Sequence, residues 1–202
     1  MDVQDLLTPP VLEKLKLYQG LVEKWTPRIN LVARSTVADI WDRHIIDSLR
    51  LCTLELPMAR RWVDLGSGGG FPGLVVAVVL ACRGDCTGVV LVESDARKAV
   101  FLREAARQLG LIITVHAERA ESLPAQNAAV VSARALASLD RLCEIAHRHL
   151  ASGGVCLFPK GERAEEEIAL ARRSWRFDLE AVDNKDHKGS PLLVLRNLER
   201  AA

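Results

Sequence analysis

Apolar residues in the first sixty positions recur at steps of three and four. Val11, Leu15, Tyr18, Val22 and Trp25 fall on one face of a helix that Pro9 and Pro10 are suited to open. Pro27 should end or kink that helix, because its ring removes an amide donor and crowds the preceding turn. A second helix is predicted from about Thr36, with Asp39 where a capping-box acid would sit. Ile40, Trp41, Ile45, Leu49 and Cys52 make its buried stripe, and Pro57 closes the region. From about residue 61 the pattern changes. Short apolar runs predict strands near 61–65, 87–93, 112–116, 128–133, 153–159, 174–182 and 191–197, and helices fit near 72–82, 95–109, 138–150 and 162–173. Such alternation predicts an α/β fold with a parallel sheet covered on both faces. The last two strands are joined by a polar loop with no room for a crossover helix, so they should pair antiparallel as a hairpin.

At 202 residues the chain suits one α/β domain with a short appendage. With 49% hydrophobic and 26% charged residues it belongs among folded, globular chains. The 27 basic and 26 acidic side chains leave a net charge of +1, which excludes the broad basic footprint of a strong DNA binder. A nucleic-acid partner would need a local basic patch. Cys52, Cys82, Cys86, Cys143 and Cys156 are odd in number and mostly in apolar surroundings, as buried reduced thiols are. Cys82 and Cys86 have no matching pair, and His147 and His149 lack an acid or Cys to complete a ligand set, so no metal is expected. No leader-like apolar segment opens the chain, and the run Leu74–Cys82 is too short to span a bilayer. A cytoplasmic protein with no membrane partner is the expectation.

Candidate chemistry concentrates where the first predicted strand ends, in Asp64-Leu65-Gly66-Ser67-Gly68-Gly69-Gly70-Phe71-Pro72-Gly73. Glycines here let backbone turn sharply and approach a ligand, outside the carboxyl end of the strand and against a helix N-terminus. Two registers are open. Gly68, Gly70 and Gly73 fit the dinucleotide pattern, whereas Gly66, Gly68 and Gly70 fit the pattern of methyltransferases, and the short distance from the strand favours the second. Glu93 ends the second strand, where an acid accepts hydrogen bonds from ribose hydroxyls, a feature common to NAD and S-adenosylmethionine. The segment Ala117–Glu121 follows the third strand, where an adenine ring would lie. Five helix-linked strands and a terminal hairpin are the layout of Rossmann-like methyltransferases.

The chain resembles the bacterial small-subunit rRNA guanine-N7 methyltransferases of the RsmG type, also called glucose-inhibited division protein B. The matching strings are Lys24-Trp25 with Asn30-Leu31, Arg43-His44-Ile45-Ile46-Asp47-Ser48, the glycine segment 64–73, Lys98 with Phe101-Leu102, Ser132-Ala133-Arg134-Ala135 with Ala137-Ser138-Leu139, and Lys160-Gly161. They occur in the family's order over nearly the whole length. Val32, Glu93 and the Phe158-Pro159 pair depart from the family's usual residues. The resemblance implies a seven-stranded Rossmann-like S-adenosylmethionine-dependent methyltransferase sheet (61–202) behind an N-terminal helical extension (1–60). It implies S-adenosylmethionine held around Gly66, Gly68, Phe71, Ala120, Glu121 and Arg134, with Glu93 near the ribose. It also implies 16S rRNA as partner, within or outside the 30S particle; a monomer is the separate expectation, though the sequence does not fix the oligomeric state.

By residue type, Asn30, His44, Asp47 and Lys160 are the candidates for substrate contact, with Arg134 at the end of the fourth strand facing the ligand crevice. His44 and Asp47 share a helix face and serve equally well as structural ties. Guanine N7 carries an in-plane lone pair and loses no proton on methylation, so no general base is required and no catalytic residue is assigned. Basic residues between Lys24 and Arg34, with Lys160, Arg163, Lys185 and Lys188, are candidates for phosphate contact. Trp25 and Trp41 read as core, and one Tyr and four Phe exclude an extended base-stacking surface. Two other functions fit parts of the pattern: an NAD-dependent oxidoreductase, which would need a proton donor beyond Tyr18, and a non-catalytic RNA-binding assembly factor on the same fold.

Overall fold

The computed structural model describes residues 1–56, 61–183 and 190–201, so Pro57, Lys185 and Lys188 lie outside the described residues. A short helix α1 (Val3–Leu6) leads into α2 (Pro9–Ile29), which has its prolines in the first turn and buries Val11, Leu15, Tyr18 and Val22. Pro27 neither ends nor breaks α2. It sits in the last turn, where only one amide bond is lost, and the Asn30 amide still closes on the Thr26 carbonyl at 2.9 Å. The helix stops at Asn30, which takes the left-handed conformation (φ 51°) of a C-terminal cap.

The helix expected from Thr36 starts later and is not a regular α-helix. A 3-10 turn (Arg34–Thr36) is followed by a π turn (Trp41–Ile46), the single turn α3 (Asp47–Leu49) and another 3-10 turn (Arg50–Thr53). No capping box forms, because the Thr36 hydroxyl donates instead to the Ala33 carbonyl at 2.9 Å. Ile40, Ile45, Leu49 and Cys52 are buried as the spacing predicts, with Trp41 half-buried. π turns are rare and recur at functional sites; this one carries His44.

The alternating elements follow: β1 (Arg61–Leu65), α4 (Gly73–Cys82), β2 (Gly88–Val92), α5 (Ala96–Leu109), β3 (Ile113–His116), β4 (Ala128–Ala133), α6 (Leu139–His149), β5 (Leu150–Pro159), α7 (Ala164–Ala171), β6 (Trp175–Val182) and β7 (Leu192–Arg200). They form one seven-stranded sheet in the order β3-β2-β1-β4-β5-β7-β6. β7 alone runs antiparallel, between β5 and β6, so the terminal hairpin is present. Strand order reverses between β1 and β4, which opens a crevice at their carboxyl ends.

Alternate strand residues feed two cores. Trp62, Leu91, Val130 and Leu157 pack with α2, α4 and α5, and Val63, Val90, Val131 and Phe158 pack with α6. The N-terminal helices belong to the first of these cores: Leu15, Tyr18, Ile45 and Leu49 share it with the sheet. This explains why α4 is apolar all round, since a helix covered on every side has no face to leave polar. Trp25 lies over Phe101, centroids 5.6 Å apart. Among the described residues no helix is long and apolar enough to cross a membrane.

A buried carboxylate joins the elements around the crevice. Asp64 accepts from the Ser132 hydroxyl at 2.7 Å and from the Gly73 amide at 3.2 Å, while Ser132 accepts from the Trp62 indole at 2.9 Å. Burial raises the Asp64 pKa to about 6, against the lowering effect of these hydrogen bonds and of Arg134. Ser132→Ala leaves the Trp62 N–H without its acceptor and removes one donor from Asp64 in the core. The expected cost is about 2 kcal/mol, read as a lower urea midpoint at unchanged m-value.

Candidate functional site

The glycine segment leaves β1 and turns over the end of the sheet. The Ser67 amide donates to the Val92 carbonyl of β2 at 3.0 Å, and the Gly70 amide to the Ser67 carbonyl at 2.7 Å. Gly66, Gly68 and Gly70 all have positive φ (64°, 55° and 95°), so each position of the methyltransferase register is one that favours glycine. Gly73 serves another need: a Cβ there would lie 2.7 Å from the Asp64 carboxylate, so it is required for packing helix on strand.

Glu93 stands at the end of β2, buried beside this loop. Its carboxylate accepts from the Gly68 amide at 2.8 Å and from the Asp95 amide at 2.7 Å, one bond to each oxygen. Each oxygen keeps a further lone pair for a ribose hydroxyl. Next to it is a small cavity of about 60 Å³, lined by Gly66, Val92, Ala120, Glu121, Leu136 and Ile145 among others. Its far wall, the loop after β3, is held by α6. His149 meets the Ala120 carbonyl at 2.8 Å, Arg141 pairs with Glu121 at 2.8 Å, and Arg148 donates to the Leu123 carbonyl at 3.2 Å. Bare glycine backbone and an acid with free lone pairs at the next strand end are the groups that the ribose end of S-adenosylmethionine needs, and the residues present fit it. Gly66, Gly68, Glu93, Ala120 and Glu121 thus gather at one crevice.

Phe71 and Arg134 are placed differently. The Phe71 ring is buried and turned toward the N-terminal helices, with the Tyr18 ring at 5.1 Å and the His44 ring at 5.1 Å. Arg134 leaves the end of β4 and crosses to the π turn. It donates to the Arg43 carbonyl (3.2 Å) and to His44 Nδ1 (2.7 Å), approaches Asp47 at 3.9 Å, and lies over Phe71 at 5.3 Å. A guanidinium cannot accept, so His44 Nδ1 is the acceptor and Nε2 bears the proton, which it donates to Thr36 Oγ1 at 2.9 Å. His44 is therefore neutral. Burial first, then Arg134 and Arg43, lower its pKa to about 4.

These side chains face a second, larger cleft of about 1050 Å³ that runs from the π turn to α7. His44, Asp47, Arg134 and Lys160 all line it. Lys160 is less available than its charge suggests. Its side chain is only 8% exposed, its ammonium pairs with Glu167 at 2.6 Å, and it donates to the Ala137 carbonyl at 2.9 Å. Asn30 is not brought to the cleft; it is the exposed cap of α2, with its left-handed backbone as its local role. Arg43 and Arg163 are exposed at the cleft, whereas Lys24 and Arg28 lie along α2 outside it. Thr36, Leu136 and Glu167 were not apparent as site residues from the sequence. For Leu136 a signal existed, an apolar residue among small ones directly after β4; for Glu167, one of three successive acids, nothing in the spacing singled it out.

Sheet order and glycine loop, with an acid closing the second strand, are those of a Rossmann-like S-adenosylmethionine-dependent methyltransferase fold. Solved structures share it at low identity. A TehB-like SAM-dependent methyltransferase from Corynebacterium glutamicum superposes with a TM-score of 0.57 at 14% identity, over 83% of this chain and 94% of that one. M. jannaschii TYW2 in complex with AdoMet superposes with a TM-score of 0.55 at 15% identity, over 80% and 78%. The family model GidB, rRNA small subunit methyltransferase G, matches residues 11–193. Relatives named ribosomal RNA small subunit methyltransferase G are 54% identical over 185 residues in Cereibacter sphaeroides (92% of this chain, 89% of the relative) and 47% identical over 205 in Paramagnetospirillum magneticum (99% and 98%). The chain belongs to the GidB family.

The low pKa of His44 has a sign that can be checked. Unfolded His44 takes up its proton near pH 6.5 and folded His44 near 4, so the unfolded state binds more protons in that window. Stability from this group is complete above pH 6.5 and is lost as pH falls toward 4. His44→Gln keeps both an acceptor and a donor but does not titrate. Thermal unfolding across this window should show a shallower acid-side loss for the variant than for the wild type; parallel curves would refute the assignment.

Proposed function

We propose that the protein transfers a methyl group from S-adenosylmethionine to N7 of a guanine in 16S rRNA, acting in the cytoplasm as a monomer on the RNA or the 30S particle. Membership of the GidB family carries this reading, and the crevice supports it with an acid suited to a ribose, a bare glycine loop and a small cavity at the loop after β3, beside a cleft with arginines on its rim. Glu93 would hold the ribose hydroxyls, and Gly66, Gly68, Ala120 and Glu121 the remainder of the cofactor. When bound, S-adenosylmethionine supplies a methyl group already activated on a sulfonium.

The protein's own contribution is then mainly positional. Guanine N7 attacks with its in-plane lone pair and releases no proton, so a general base has no task. The site suits this, since neutral His44 is engaged at both ring nitrogens and is not free to take a proton. The arginine-bearing rim, Arg43 and Arg163, would hold phosphates and set the register of the RNA without reading its bases. An oxidoreductase reading fares worse, because Tyr18, the chain's single tyrosine, is fully buried and donates its hydroxyl to the Gly69 carbonyl.

The test is transfer of labelled methyl from S-adenosylmethionine to 30S particles or rRNA from a strain lacking the enzyme, with the labelled nucleotide identified. Label at guanine N7 is expected; label elsewhere would replace the substrate assignment. Glu93→Ala loses the ribose acceptor and frees two backbone amides of the loop. Calorimetry should show S-adenosylhomocysteine binding weakened roughly tenfold or more.

A further inference from the structure

Most residues lining the cleft are polar or charged in type, Arg43, Asp47, Arg163 and Glu166 among them, although apolar atoms make up nearly half of its surface, and no Phe, Tyr or Trp lines it among the described residues. Two side chains break the pattern. Leu136 is 40% exposed and Leu170 is 51% exposed, and both line this cleft. Only six large hydrophobic side chains are exposed among the described residues, so this cleft holds two of the six. Single exposed leucines need no explanation, but two in one charged cleft do.

Leu136 is also held in place. It follows Ala135, whose φ of 54° is unusual for a residue with a Cβ. Immediately after it, the Lys160 ammonium binds the Ala137 carbonyl at 2.9 Å and pairs with Glu167 at 2.6 Å. The same Glu167 oxygen accepts from the Leu139 amide at 2.7 Å, at the start of α6. The loop carrying Leu136 is therefore tied to β5 and α7. On its other side Leu136 packs against Gly66, where an added Cβ would meet its side chain at 2.6 Å, and it borders the cavity beside β2. Leu136 stands where the cofactor crevice and the larger cleft meet.

We propose that Leu136 and Leu170 are the apolar surfaces that receive the target guanine once it is unstacked from the RNA, with Lys160 and Glu167 as positioning residues that hold Leu136 for it. This rests on the methyl-transfer reading above. A base removed from its stack loses the surfaces that covered its faces, and apolar walls replace part of them. N7 lies in the ring plane and reacts at the edge, so covering the faces leaves the reacting atom open toward Gly66. Leucines suit the task because contact with a flat face needs area and not hydrogen bonds.

The test is single-turnover methyl transfer to 30S particles from a strain lacking the enzyme, at saturating S-adenosylmethionine. Leu136→Ala and Leu170→Ala are each expected to slow the transfer step roughly tenfold, with half-saturation in 30S particles changed less than about twofold. Leu136→Met, which keeps an apolar surface, should restore most of the rate. Glu167→Gln should slow transfer too, but add little in a Leu136→Ala background, as expected of a group acting through Leu136. S-adenosylhomocysteine affinity and Tm, measured on every variant, separate this from lost cofactor binding or folding, and Leu170→Ala tests the surface away from the glycine loop. Wild-type rates in both alanine variants, or slowing accounted for by weaker S-adenosylhomocysteine binding, would overturn the proposal. Absence of transfer by the wild-type protein would instead remove the reading on which it rests.

Discussion

The arrangement of the crevice depends on one buried carboxylate. Asp64 lies at the end of β1, at the switch point between β1 and β4, and its oxygens accept from Ser132 of β4 and from the first amide of α4. Burial disfavours ionising this acid and raises its pKa, while its hydrogen bonds, which tie three elements to one another, pull the other way. The loop from Gly66 to Pro72 bridges two points that the carboxylate holds. Its shape follows from those ends together with the left-handed turns that only residues without a Cβ adopt easily.

From that loop outward the N-terminal region backs the glycine segment. Tyr18 of α2 donates to the Gly69 carbonyl, and Leu31 packs on the same glycine, 3.1 Å from where a Cβ would be. Arg134 reaches from β4 across Phe71 to the π turn, so contacts of one side chain join the strand end, the glycine loop and residues 43–47. The His44 ring carries this chain on to Thr36, which closes on the Ala33 carbonyl. A region that reads along the chain as an extension is in space part of the site. Its apolar face is covered by α4, and α4 by it.

What the sequence made legible follows from the range of each interaction. Strand and helix patterning is local, so all seven strands, the terminal hairpin and the later helices lie close to where periodicity puts them. The glycine loop and Glu93 were legible because backbone constraints write themselves into residue type. The segment 34–53 was misread because part of its hydrogen bonding runs to distant groups, Arg134 to the Arg43 carbonyl and to His44, and Arg50 to the Val182 carbonyl, and the π turn has no residue signature of its own. Lys160 shows the same limit. Its charge was visible, but the Glu167 that neutralises it belongs to the next helix, and that contact is decided by the way β5 and α7 pack. Pro27 misled for the opposite reason, since a breaker placed one turn from the end has little left to break.

The proposed chemistry accounts for the few recognisable reactive groups at the site. A reaction that needs neither a base nor a nucleophilic side chain exerts no demand for a dyad, and titratable groups near it are best kept from titrating. His44 is held neutral and Lys160 is paired, and Arg134 is engaged on several sides. What such a reaction does demand is that a base edge be presented to a fixed point. That demand falls on shape: a loop pinned from both sides, a leucine against a glycine, and a positive φ at Ala135 that turns the chain there. Residues that meet a demand of shape are ordinary in type. They are therefore the ones that a search for reactive side chains passes over, and the ones that three-dimensional placement brings into view.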